Sequence, residues 1–230
     1  GVAKTREIRF KDFPPGQAAQ AWRSLAALRG VQVEAGRDEL TLVVHYNVLE
    51  GLTRIEESGA TSPLLAQSWE MSPDGKTYTF RLQPGVHFHD GAVFDAAAVL
   101  FTFERAKAPD SRNKARKALF DNIARVTAPD PLTVVLQLHR PDGNTLFRLG
   151  ENTAVILHPA SAAQAARHPV GTGPYRLEQW DKGKSITLAK YEAYRRAAQV
   201  RVDKAVFRFI NAPDAQVAAV QAAEVDVLFN

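Results

Sequence analysis

The chain has no cysteine among its 230 residues and only one methionine. Without thiols it forms no disulfide, Cys-ligated zinc site, iron–sulfur cluster or cysteine nucleophile, which leaves oxygen and imidazole chemistry. It also lacks an apolar run of about 18 residues, so we expect no membrane-spanning helix, and residues 1–4 do not resemble a signal peptide. The first residue is not methionine and an apolar run occupies residues 225–229. We therefore expect a fragment or a trimmed chain.

The composition is that of a globular protein. Hydrophobic residues make up 45% of the chain and charged residues 23%, with 14 glycines and 13 prolines. These proportions exclude a mainly disordered chain, because enough apolar surface is available to build a core. The length predicts either one large domain or two unequal lobes.

Alternation and turn signals predict a chain that mixes strands and helices. Apolar side chains at every second position, as in residues 78–82, are typical of strands, and Pro73-Asp74-Gly75 and His89-Asp90-Gly91 are typical of turns. The other predicted strands are residues 8–10, 40–46, 86–88, 132–138, 186–188, 206–210 and 225–229. The predicted helices are residues 18–28, residues 96–107 with Asp95 as N-cap and Pro109 after the end, and residues 214–220.

Motifs of covalent or phosphate chemistry are missing. The chain contains no Gly-x-Ser-x-Gly elbow, and Gly171-Thr172-Gly173 lacks the spacing of a phosphate loop, while Pro174 removes an amide that such a loop would use. Acidic residues are spread too evenly to single out a glycosidase pair. These motifs therefore favour no class of enzyme, and a glycosidase stays open.

Two histidines are the candidate metal ligands. His87 and His89 flank Phe88, with Asp90 next, and on a strand the two imidazoles would share one face about 7 Å apart. A hydrogen-bonded turn is the commoner structure for such a sequence, so we expect no metal and no cofactor. An enzyme or metal protein that uses this pair is the lowest-ranked alternative.

Basic residues are concentrated between residues 105 and 117, where six cations face a single anion, Asp110. The segment has no aromatic residue that could stack on a base, and no nucleic-acid-binding signature surrounds it. We predict a solvated face and no nucleic-acid partner, with a polyanion site as the alternative.

Five short segments stand out together along the chain. They are YNVLEGL at residues 46–52, PLLAQSW at 63–69, SPDGKTYTF at 72–80, GVHFHDG at 85–91 and VGTGPY at 170–175. In this order they resemble extracellular solute-binding proteins of family 5, which includes the dipeptide-, oligopeptide- and nickel-binding proteins of ABC importers. The similarity extends from about residue 40 to residue 230.

The resemblance implies an α/β fold of the periplasmic-binding-protein type II. It implies a first lobe with a mixed sheet and an inserted α+β domain. By similarity, residues 40–51 and 170–230 would be part of the first lobe itself, and residues 52–169 would be the inserted domain. Residues 1–39 form an unmatched strand-helix segment. Family members are about twice as long, so the second lobe would be missing.

The family also implies a function and a set of site residues. Its members close on a small solute or peptide and deliver it to an ABC permease, from a periplasmic or membrane-tethered position outside the cytoplasm. This is a hinge motion without bond chemistry, so the resemblance implies that the chain is not an enzyme. The Gly-Thr-Gly-Pro-Tyr segment lies near the hinge in the family, so Gly171, Thr172 and Tyr175 are candidate ligand-binding residues, together with Tyr46 and Asn47. The alternative is a truncated family member that acts as a protein-interaction module without transport.

Overall fold

The computed structural model describes residues 43–210 and 212–226. The strands and helices predicted before residue 40 lie outside these residues, as does most of the strand predicted at residues 225–229. Contacts divide the chain into two units, of which the first combines Gly1–Val48 with Pro174–Asn230 and the second is Leu49–Gly173. The chain therefore passes between the units twice. That the second unit is an inserted domain of a first lobe, with bounds at residues 52–169, stays a prediction.

The second unit is built on a four-stranded antiparallel sheet in the order β3-β4-β6-β5, on which one long helix packs. These strands are β3 (Ala66–Met71), β4 (Thr77–Leu82), β5 (Ile123–Asp130) and β6 (Thr133–Leu138), and the helix is α1 (Ala96–Lys107). The unit also contains a two-stranded ladder of β1 (Thr53–Ile55) and β2 (Thr61–Pro63), the short helix α2 (Thr145–Arg148), and the 3₁₀ turns Phe120–Asn122, Asn152–Ala154 and Pro159–Ser161.

The core of the second unit lies between this sheet and α1. Alternate residues of β4 and β6 are buried, and Phe80 stands opposite Val134 in the register of the two strands. Phe103 of α1 meets Phe120 edge to face, with ring centroids 5.6 Å apart, a favoured arrangement of aromatic pairs. The strands predicted around residues 78–82 and 132–138 are confirmed.

The helix α1 begins and ends where the sequence predicted. The Asp95 carboxylate accepts a hydrogen bond from the backbone N–H of Ala97 at 2.9 Å, and its extended backbone is that of an N-cap. At the other end, Ala108 leaves the helical conformation just before Pro109. The chain therefore stops the helix at the residue before proline, as steric exclusion of the helical region requires there.

The strand predicted at residues 86–88 is wrong. His87 makes one isolated bridge, to Val93, and the Phe88 N–H donates to the Ala92 carbonyl at 2.8 Å. The predicted turn between them is confirmed, with Gly91 at a φ of +89°, which favours glycine. The Phe94 N–H also donates to the Val86 carbonyl at 2.9 Å, so the pairing consists of one bridge and its two flanking hydrogen bonds.

The first unit is described from residues 43–48, 174–210 and 212–226. Its sheet is antiparallel in the order β7-β8-β9, with β7 (Tyr175–Asp181), β8 (Ser185–Lys190) and β9 (Lys204–Arg208). The unit also contains the 3₁₀ turn Ala197–Gln199 and the helix α3 (Pro213–Gln221). The strands predicted at 186–188 and 206–210 and the helix predicted at 214–220 are confirmed, each within about two residues. No described helix of either unit has the length and apolarity needed to cross a membrane.

The strand predicted at residues 40–46 does not continue through the described residues 43–48. The Val48 N–H donates to the Val44 carbonyl at 2.8 Å, which is the spacing of a helical turn. The side-chain amide of Asn47 donates to the Val43 carbonyl at 2.8 Å, and Tyr46 has a φ of +61°. The local side-chain bond and the left-handed residue together turn the chain, so the apolar alternation fails to produce a strand.

Candidate functional site

The five candidate residues flank the two places where the chain passes between the units. Tyr46 and Asn47 precede the first passage, Gly171 and Thr172 precede the second, and Tyr175 follows the second. The residues therefore form two groups, with Tyr46, Asn47 and Tyr175 in the first unit and Gly171 and Thr172 in the second.

In the first unit, the structure brings Asn47 and Tyr175 together. The Tyr175 N–H donates to the Asn47 carbonyl at 2.8 Å. Both side chains are almost fully buried, and the Tyr175 hydroxyl donates to the Val202 carbonyl at 3.0 Å. Since the Asn47 amide is bonded to Val43, the polar ends of both side chains have partners inside the unit.

The Tyr175 hydroxyl is held in its neutral form. Burial raises the pKa of this group well above its usual value of 10.0, and the nearby Asp203 carboxylate raises it further. A buried phenolate would lack solvation and would repel that carboxylate, so the proton stays in place and serves the bond to Val202.

Tyr46 differs from its two companions. It is half-buried, and its ring lies 3.7 Å from the ring of His45, centroid to centroid. A tyrosine at positive φ costs energy, and such residues persist where the surrounding structure holds them in place, often at functional sites. Tyr46 is thus the member of the first-unit group whose ring reaches the surface of that unit.

In the second unit, Thr172 is tied to a residue that the sequence analysis did not select. Its hydroxyl donates to the Glu50 carboxylate at 2.8 Å, and the two residues are 2% and 1% exposed. A buried carboxylate requires hydrogen-bond donors to offset its lost hydration. The one signal for Glu50 in the sequence is its position as the only charged residue in the apolar run 48–52.

His89 fixes the backbone on both sides of Thr172. Its own N–H donates to the Gly171 carbonyl at 2.9 Å, its Nε2 lies 2.9 Å from the Gly173 carbonyl, and its Nδ1 accepts from the Gly171 N–H at 3.3 Å. A carbonyl can only accept and an amide can only donate, so the ring is the neutral tautomer with the proton on Nε2. His89 therefore positions the glycine segment.

The candidate metal pair, His87 and His89, is not arranged as a chelate. Both ring nitrogens of His89 are engaged by the glycine segment, and the His87 Nδ1 lies 3.1 Å from the Gly85 carbonyl. Within residues 43–210 and 212–226, no three or more His, Asp or Glu side chains come together as potential ligands.

Gly51 is required by close packing of the backbone. A Cβ atom at this position would lie 2.6 Å from the Leu149 carbonyl oxygen, a distance that forces the backbone to move. The Glu-Gly-Leu sequence thus combines a buried carboxylate with a glycine that lets two chain segments approach.

A concave surface of the first unit lies away from the three candidates in that unit. It encloses about 450 Å³ at the β7-β8 turn and the end of β9. Its lining residues are Asp181, Gly183, Lys184, Ser185, Val206, Arg208, Phe209 and Ile210. None of the five candidate residues lines it, so it adds no support for their ligand-binding role.

Comparison with known proteins gives matches over most of the chain. Residues 60–230 match the profile of the bacterial extracellular solute-binding proteins, family 5 Middle. The glutathione-binding protein GsiB of Pectobacterium atrosepticum is 36% identical over 191 residues, which are 81% of this chain and 37% of that protein. The chain thus spans well under half the length of such relatives.

Solved structures show the same similarity. The binding protein AgaA from A. tumefaciens R10, in complex with agropinic acid, has a TM-score of 0.75 and 30% identity over 87% of this chain and 40% of its own. The periplasmic binding protein DppA from Helicobacter pylori, in complex with the peptide STSA, has a TM-score of 0.74 and 29% identity over 83% of this chain and 42% of its own.

These matches confirm the predicted fold class, which is that of part of a type II periplasmic binding protein. The profile match covers more than half of the chain, and it agrees with the five segments recognised in the sequence. The chain belongs to family 5 of the bacterial extracellular solute-binding proteins.

Proposed function

We propose that the protein binds a small solute of the peptide class outside the cytoplasm and delivers it to the permease of an ABC importer. The observation that carries this proposal is the family match over residues 60–230. The peptide class is supported by the glutathione-binding relative and by the neighbour that holds the peptide STSA, since both ligands are short chains of amide-linked amino acids.

The proposed mechanism is closure of two lobes on the solute, without bond chemistry. Binding proteins of this kind surround the ligand in a cleft and release it when the hinge opens. The hydrogen bonds of Thr172, His89 and Tyr175 support this role, because they occupy the polar groups of these three side chains within their own units. We therefore propose a receptor that is not an enzyme, located in the periplasm or tethered to a membrane.

The five candidate residues take different parts in the proposed site. Tyr46 is the side chain we propose for direct contact with the solute, because its ring is half-buried in its own unit. For Gly171, in the second unit, we propose an indirect part, because its N–H and carbonyl are already bonded to His89. Asn47, Thr172 and Tyr175 would act through the backbone that they hold, because their polar groups already have internal partners.

Titration calorimetry of the full-length protein tests the proposal. The probes are glutathione, the tetrapeptide STSA and a set of dipeptides, with agropinic acid as a ligand of another class. We expect saturable binding of at least one peptide probe, and a weaker affinity for the Tyr46→Ala variant than for Tyr191→Ala, a half-buried tyrosine of the same unit. If no peptide gives a binding signal while a ligand of another class binds tightly, the assignment to the peptide class is wrong.

The interaction-module alternative predicts a different result. A protein whose apolar surface contacts a partner or a second copy would self-associate and would bind none of the probes. Light scattering on the same samples separates the two hypotheses, since a receptor is expected to remain monomeric across the titration.

A further inference from the structure

The positive charge of the protein is concentrated in one short segment of the second unit. Residues 105–117 carry six of the 29 cations and one of the 25 anions, so the other residues hold 23 cations and 24 anions. The basic segment, defined as residues 105–117, thus accounts for the whole net charge of +4.

Most of these cations have no partner within the second unit. Arg105, Arg112 and Lys117 are exposed and Lys107 is half-buried. None of these four side chains makes a hydrogen bond or ion pair with any part of the chain that the structure describes. Unpaired guanidinium and ammonium groups at this density create a positive potential that attracts anions.

The basic segment consists of the end of α1, residues 105–107, and a loop that is tied to the rest of the unit. The Arg116 guanidinium donates to the Pro109 carbonyl at 2.8 Å and pairs with Asp121 at 3.3 Å. The Asn113 side-chain amide donates to the Thr153 carbonyl at 2.8 Å, and Ala115 is buried in the core. These contacts fix the backbone that carries the cations.

The chemistry of the surface narrows the kind of partner. Apart from its cations and Asp110, the basic segment contains only alanine, proline, serine and asparagine. Protein interfaces are enriched in aromatic residues, methionine and arginine, of which the basic segment has arginine alone, and single-stranded nucleic acids need aromatic platforms for their bases. Anionic lipid headgroups need charge alone, and each cation near such a surface strengthens binding by about fivefold.

We propose that the basic segment is a contact surface for anionic phospholipid headgroups. The contact would keep the protein near the membrane in which an importer lies, and it does not depend on which solute is bound. It goes beyond the proposed function, because a receptor can bind its solute without touching lipid.

Vesicle sedimentation of the full chain tests this inference. The vesicles are neutral phosphatidylcholine, or phosphatidylcholine mixed with anionic phosphatidylglycerol, at low and at high salt. The patch variant replaces Arg105, Lys107, Arg112 and Lys117 by Gln, and retains Arg116 because it ties the loop. The control variant replaces four exposed cations elsewhere by Gln and loses the same charge: Arg140, Arg167, Arg176 and Arg201.

We expect binding to the anionic vesicles at low salt only, reduced at least about tenfold in the patch variant and little changed in the control. Equal loss in both variants would show that net charge alone is responsible and would overturn the proposal. Absence of vesicle binding would overturn it too, as would retention of the protein on heparin without binding to vesicles, which would assign the surface to another polyanion. Matching melting temperatures of the three proteins show that folding is not the cause.

Discussion

Residues far apart in the sequence are joined by hydrogen bonds in the segments where the chain passes between the two units. Thr172 and Glu50 are 122 positions apart, and their bond is buried. Leaving a buried carboxylate without one of its donors costs the protein part of its stability, since the lost hydration is then not offset. The bond therefore stabilises the second unit at its two chain ends, where fraying would otherwise begin.

Replacing the Thr172 hydroxyl tests this contribution. We expect Thr172→Val to lower the free energy of unfolding by about 1–3 kcal/mol, because the side chain keeps its shape and loses the donor to Glu50. Thr172→Ser keeps a hydroxyl and is the matched control, with a smaller loss. Denaturant unfolding measures both, and equal values for the two variants would contradict a role for the hydrogen bond.

The buried Tyr175 hydroxyl gives a pH-dependent prediction. At neutral pH, we expect Tyr175→Phe to lower the free energy of unfolding by about 1 kcal/mol, because the bond to the Val202 carbonyl is lost. The pKa of Tyr175 is raised in the folded state, so above pH 10 the unfolded chain ionises first and the native protein loses stability as the pH rises.

The Tyr175→Phe variant lacks this ionisation. The advantage of the native protein in free energy of unfolding should therefore fall by about 1.4 kcal/mol per pH unit above pH 10. Urea unfolding of both proteins between pH 7 and pH 11 measures the difference. A constant difference across that range would contradict the burial of the hydroxyl.

At the scale of elements, the N-cap of α1 is the clearest link between sequence and structure. Asp95 accepts from the backbone N–H groups of Ala97 and Ala98. These amides have no partner within the helix, and the negative carboxylate also interacts favourably with the positive end of the helix dipole.

We expect Asp95→Ala to cost about 1 kcal/mol of stability. Glu104→Ala removes the same charge from an exposed position of the same helix, and it should change stability by no more than about 0.5 kcal/mol. Thermal unfolding monitored by circular dichroism compares the two variants, and similar losses would show that the cap contributes nothing beyond its charge.

Some strands were predictable from the sequence and others were not. The interior strands β4 and β6 bury every second residue on one face, so their apolar pattern shows in the sequence. The pattern missed β1 and β2, which have three residues each and are too short to show alternation. It also missed β3, β5 and β7, which lie at sheet edges and each contain a register shift, for example between Leu177 and Gln179. A bulge moves the following side chains to the other face and so breaks the alternation.

The candidate site was predictable only in part. The segments that contain Tyr46, Asn47, Gly171, Thr172 and Tyr175 were selected by resemblance, and their ligand-binding role stays a proposal. The partners Glu50 and His89 were not selected as ligand-binding residues, and His89 was considered only as a metal ligand, because their bonds to Thr172 and Gly171 span 122 and 82 positions. No local pattern reports a contact at such a separation.

At the scale of the whole molecule, the second unit has the properties of an independent folding unit. It is one continuous stretch of chain, Leu49–Gly173, with its own hydrophobic core and with its two ends joined by the Thr172 bond to Glu50. Domains with these features commonly fold alone, and close termini make their insertion into another domain tolerable.

We therefore expect residues 49–173, expressed alone, to fold and to unfold in a single cooperative transition. A dispersed NMR spectrum and coincident transitions by fluorescence and circular dichroism would support this. Phe103→Ala in the same fragment serves as a control, since loss of a fully buried ring should cost about 3–5 kcal/mol and abolish the transition. A compact fragment without a cooperative transition would show that the unit depends on the rest of the chain.

We propose that the full-length protein closes on a solute and releases it unchanged. Small-angle X-ray scattering of that protein, with and without a peptide identified by calorimetry, measures closure directly. We predict a smaller radius of gyration with the peptide, with the peptide recovered intact afterwards. An unchanged radius at saturating peptide would contradict the account, because a receptor of this family would then bind without closing.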